Sequence, residues 1–135
     1  MKHFTLEPNM RASFGGAFYP TGYSLVMFPS VEDASRIGHG LIEKGIVSGD
    51  EVYLIPPETV LAEIAPTVHA SHSPLPSAGT DGATVRAFIE LAQEGHTGLL
   101  IRTKDGATAE RVMELVRTVP YSIAERYRTL VIEDL

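Results

Sequence analysis

The chain has 135 residues, 12 glycines, 9 prolines, no cysteine and a formal charge of −6 from 11 basic and 17 acidic residues. That length supports one hydrophobic core without staples, and the lack of cysteine excludes disulfides, thiolate metal sites and a cysteine nucleophile. No apolar run approaches the ~18 residues that span a bilayer, and the 44% hydrophobic, 21% charged composition is that of a folding chain.

The N-terminus, MKHFTLEPNMRASFGG, mixes charge and polarity without the continuous apolar stretch of a secretory signal. It reads as an N-terminal arm over residues 1–17 before a single domain over 18–135, in a protein expected in the cytoplasm and not on a membrane. Residues 1–67 carry 4 basic and 8 acidic side chains, and residues 68–135 carry 7 and 9, so neither half is a basic surface for phosphate backbones.

Tyr23-Ser-Leu-Val-Met-Phe28 predicts a buried strand between Gly22 and Pro29. Ser30 then offers an N-cap, with Asp33 three residues on as a capping-box variant. Ala34, Ile37, Gly38, Leu41 and Ile42 follow with core-facing helical spacing, and Gly45 is a C-cap. Two helical glycines, Gly38 and Gly40, cost roughly 1 kcal/mol each against alanine and imply close packing. Glu51-Val-Tyr-Leu-Ile55 predicts a second strand, stopped by Pro56-Pro57. Residues 57–65 suggest a short helix with Pro57 near its start.

Residues 66–82 hold three prolines, two histidines and no usable period, so a long loop is expected. Helical spacing returns from Ala83 to Glu94, then a strand over His96–Thr103, a turn at Lys104-Asp-Gly106 and a helix carrying Ala109, Val112, Met113 and Val116. Pro120 ends that helix, and Tyr121 to Ile132 supplies one or two further strands. A shift of 75 positions sets Leu25-Val26 on Leu100-Ile101, Ala34 on Ala109, Ile37 on Val112 and Leu41 on Val116. Two strand–helix–strand halves give an α+β fold on the ferredoxin-like βαββαβ plan, with helices on one face and extra helical segments plus a long loop between the halves. A Rossmann-like parallel sheet is the rival, with few strands to build it.

Three groups of residues carry candidate chemistry. His69 and His72 have a spacing that can meet one metal if the backbone turns, although two histidines in a Ser/Pro-rich stretch also read as solvated polar residues. Ser77, Gly79, Thr80 and Asp81 lead into a helix N-terminus that can present N–H groups to an anion, or merely cap it. Arg117, Arg126 and Arg128 with Tyr127 could form a basic–aromatic patch for nucleic acid, or an ordinary amphipathic strand edge. Serine hydrolase chemistry lacks its G-x-S-x-G frame, no carboxylate pair stands out by spacing, and no cofactor is implied.

The segments Phe18-Tyr-Pro-Thr-Gly-Tyr23, Met27-Phe-Pro-Ser-Val-Glu-Asp-Ala34, Pro74-Leu-Pro-Ser77 with Thr84-Val-Arg86, and Tyr127-Arg-Thr-Leu-Val-Ile-Glu-Asp-Leu135 together resemble a family of small uncharacterised beta-proteobacterial proteins. The strand followed by Ser-x-Glu-Asp-Ala is also similar to the heat-induced general-stress protein domain, over residues 22–55. The resemblance implies one compact domain, and it carries over no catalytic residue. The reading that follows is a non-catalytic binding or regulatory protein, stress-related and homodimeric through its β-prone C-terminus. The alternatives are an RNA-binding protein and a small metal protein or enzyme using the 66–82 loop.

Overall fold

The computed structural model describes residues 1–12, 16–70, 81–129 and 131–135. Six strands form one sheet: β1 (Lys2–His3), β2 (Tyr23–Phe28), β3 (Val52–Ile55), β4 (Thr97–Arg102), β5 (Ile123–Arg128) and β6 (Val131–Asp134), in the order β1-β3-β4-β2-β5-β6. β1 runs parallel to β3, and every other neighbouring pair is antiparallel. The fold is therefore α+β. The longer helices are α1 (Val31–Glu43), α4 (Asp81–Gln93) and α5 (Gly106–Val116). Between β3 and α4 the chain winds through α2 (Pro57–Thr59), a π-turn (Val60–Ile64) and α3 (Ala65–Ala70).

Helices lie on both faces of the sheet, which corrects the one-face expectation. On one face Val26, Phe28, Val52, Leu99 and Ile101 pack against Ala34, Ile37 and Leu41 of α1 and Val112, Met113 and Val116 of α5. On the other, Leu25, Met27, Tyr53, Ile55 and Leu100 pack against Val60, Ile64 and Val68 and against Val85, Phe88 and Ala92 of α4. The cause is in the strands. Leu25-Val-Met-Phe28 and Leu99-Leu-Ile101 are apolar at every position and buried on both sides, and such runs need a cover on each face. The insertion between the halves supplies the second cover.

The internal repeat is visible in the local geometry. Ser30 and Asp105 are the N-caps of α1 and α5, and their side-chain oxygens accept from the N–H groups of Asp33 and Thr108. Caps and capped residues are each 75 positions apart, the same shift that aligned the apolar stripes. Leu25 also pairs directly with Leu100 across the two central strands. The capping box expected at Ser30 forms only halfway, because the Asp33 carboxylate accepts from Arg36 at 2.6 Å. Further on, the Ser48 N–H donates to Glu51 Oε1 at 2.8 Å, holding the turn before β3.

Where the expected loop over 66–82 is described, at its two ends, it is helical. Helix continues to Ala70 and resumes at Asp81, with Thr67 and Val68 buried. Pro66 survives inside a helical path because the π-turn before it widens the backbone, with the Ala65 N–H reaching the Val60 carbonyl. A normal turn there would drive the proline ring into a carbonyl. Thr67 Oγ1 donates to the Ile64 carbonyl at 2.7 Å and accepts from the Phe18 N–H at 3.0 Å, tying this helix to the N-terminal segment. Of that segment, Phe4 and Met10 are core residues, and Phe4 meets Phe18 and Tyr53 edge-on.

Candidate functional site

The helix α4 divides its residues between two duties. Val85, Phe88 and Ala92 enter the core, while Ala87, Glu90, Leu91 and Glu94 form an i, i+3, i+4, i+7 stripe facing the β5–β6 hairpin. On β5 the side chains of Ile123, Glu125 and Tyr127 share the face turned toward α4, and Ala124 and Arg126 point the other way. β6 folds back antiparallel and sets Asp134 directly opposite Glu125. The Leu135 N–H donates to the Ala124 carbonyl at 3.0 Å and continues the ladder to the last residue.

A cleft of about 600 Å³ lies between these elements. Ala87, Leu91 and Ile123 give it apolar walls, and Glu90, Glu94, Glu125 and Asp134 give it four carboxyl groups. No Lys or Arg is among its described lining residues. Burial pushes the Glu125 carboxyl up to about 8, helped by its hydrogen bond to Asp134 and by the Asp134 charge. Near neutral pH Glu125 is consequently a protonated donor, held against the carboxylate of its cross-strand neighbour. At one end of the cleft Ser122 Oγ and His96 Nδ1 lie 2.6 Å apart. His96 is carried there by the turn that ends α4, where Gly95 has φ of +92° and the His96 N–H returns to the Leu91 carbonyl.

Sequence reasoning overlooked this carboxyl pair, yet a signal existed. In Ile123-Ala-Glu-Arg-Tyr127, glutamate falls at the same parity as isoleucine and tyrosine, placing an ionisable group on the inward face. The partner at Asp134 depends on the hairpin register, which spacing alone does not give.

The described residues among those singled out from the sequence do not line the cleft. Tyr127 is 1% exposed, packed edge-on against Tyr19 with ring centroids 4.9 Å apart and against Phe18 at 6.1 Å. Its ring thus has no face open to a base. Arg126 and Arg128 sit on the opposite face, both reaching Glu133, at 3.3 and 4.0 Å. Arg117 caps the end of α5 and pairs with Glu110 at 3.2 Å. Each arginine is held by an acidic neighbour, and the three are not gathered around the tyrosine. Of the other candidates, Asp81 opens α4 and His69 lies in the last turn of α3, while His72, Ser77, Gly79 and Thr80 lie outside the described residues. Among the described residues no group of three or more His, Asp or Glu is arranged to hold a metal, and no helix is long and apolar enough to cross a membrane.

No protein-family model, curated protein or solved structure matches the chain.

Proposed function

We propose that the protein is a non-catalytic binding domain whose ligand occupies the cleft between α4 and the β5–β6 hairpin. The observation that carries the reading is the lining: an apolar floor bordered by four carboxyl groups, two of them paired across strands. Such a lining recognises an organic cation with an apolar body, an amine above all, because the ammonium supplies the charge and donors that the carboxyls lack from the protein. Both sheet faces are filled by helices, so binding is displaced from the sheet surface to this rim. In the same reading the inner strands β3-β4-β2-β5 are a ferredoxin-like unit, supported by their order and antiparallel pairing and by the 75-residue repeat. The domain works in the cytoplasm as a homodimer with a regulatory, stress-related role, in keeping with the resemblance of its first strand and helix to a general-stress domain.

The test is a series of primary alkylamines and the matching alcohols titrated into ¹⁵N-labelled protein. Amide shifts should cluster at Leu91, Ile123, Glu125 and Asp134, grow with chain length and be absent with the alcohols. Equal shifts from amine and alcohol, or shifts centred elsewhere, overturn the reading.

A second reading is favoured by the Glu125–Asp134 pair itself. A protonated carboxyl beside an ionised one is the arrangement that acid–base catalysis uses. Proton exchange at the carbon between the amino group and the carbonyl of a bound α-amino ester, whose carbonyl takes up the electron pair as an enol, lost in Glu125→Gln, would replace binding by catalysis.

A further inference from the structure

The two edges of the sheet are not alike. β1 is two residues long and carries Lys2, the kind of short, charged edge that resists further pairing. β6 has four residues with no proline or lysine, and its Val131 is 53% exposed. Hydrogen-bonded and non-bonded positions alternate along an antiparallel ladder. Leu135 donates to Ala124 on β5, so Glu133 and Val131 also turn their backbone groups inward. Ile132 and Asp134 therefore direct their N–H and C=O groups away from β5, along the side of the sheet where no described strand pairs.

We infer that the open edge of β6 pairs antiparallel with β6 of a second copy, joining two six-stranded sheets into one. This rests on the reading of the protein as a homodimer and names the surface that makes it. The edge is self-complementary about a two-fold axis at Ile132. That centre sets Ile132 against Ile132 of the second copy as a β-branched pair, and sets Val131 against Glu133 of the other chain. A centre one residue later would oppose two Glu133 side chains directly. Glu133 is already held by Arg126 and Arg128 within its own chain, which limits its repulsion of an approaching copy. The same pairing brings the two acidic clefts to adjoining positions, since Asp134 belongs to both the edge strand and the cleft.

The register makes opposite charge changes at one exposed position diverge. Sedimentation equilibrium at high micromolar concentration should give a dimer for the unaltered protein. Val131→Glu, which opposes Glu133 of the partner twice per dimer, should weaken association about tenfold. Val131→Lys at the same site should dimerise as well as the parent or better. Circular dichroism on both variants checks that the hairpin is retained. A monomer for the unaltered protein overturns both the dimer and the edge. A dimer that both substitutions leave unchanged, or weaken alike, overturns the edge while leaving a dimer formed through another surface.

Discussion

Glu125 is costly to ionise where it stands, and that makes its proton a reporter of folding. Its carboxyl binds a proton in the folded protein up to about pH 8, whereas in the unfolded chain it is released near the ordinary value of 4.5. The folded state therefore holds the extra proton between those values, and stability falls as pH rises through that window. The contribution is complete below the unfolded value and is gone above the folded one. Because the side chain is only half-buried, solvent screening reduces its effect to on the order of 1–2 kcal/mol. Glu125→Gln should flatten the decline in urea midpoint between about pH 5 and 8. An unchanged slope in that variant would remove the charge pair from the account. Asp105 acts in the opposite sense: the Thr108 N–H and hydroxyl hold its carboxyl below the usual range. That stabilisation is present above the unfolded pKa and is lost as the solution is acidified through the lowered one.

At the scale of elements, much was legible because local chemistry and tertiary demand agree. The strand Tyr23–Phe28, the Ser30 cap and the αL glycine at Gly45 stand where turn and capping chemistry put them. The expected close packing at the helical glycines has a visible cause. A side chain at Gly38 would collide with the Met1 thioether, and one at Gly40 would come within 3.1 Å of Leu115 on α5. Gly98 in β4 is more confined, since a Cβ there would meet Met27, Leu25 and Ile55 at 3.2 to 3.5 Å inside the core. The two glycines should respond differently to substitution. Gly38→Ala displaces only the end of a flexible methionine and gains helix propensity, so its melting temperature should stay close to the parent's. Gly98→Val must push packed core side chains and should cost about 1–3 kcal/mol in denaturant unfolding. Comparable losses in both variants would contradict this packing. The helix through Pro66 was not legible, because proline reads locally as a stop and only the π-turn, seated on the core by Val60 and Ile64, reverses that.

For the whole molecule, the decisive feature is that one insertion closes the second face of the sheet. The apolar runs of β2 and β4 announced burial on both sides, and the composition of residues 66–82 concealed which segment provides it. The cleft was hidden for a related reason. Its carboxyl pair joins residues 125 and 134 through a hairpin register, and α4 brings Glu90 and Glu94 from another part of the chain. Spacing along a sequence cannot show such convergence. A cleft placed between the inserted helix and the terminal hairpin also couples ligand binding to the proton on Glu125. An ammonium group favours the ionised carboxyl, so binding should release a proton and tighten as pH rises toward about 8. The most direct measurement is the pH titration of the Glu125 side-chain carbon by ¹³C NMR, with and without saturating octylamine. The account predicts a midpoint near 8 in the free protein that moves down toward the ordinary carboxylate range when the amine is bound. An ordinary midpoint in the free protein, or one that the amine does not move, would contradict it.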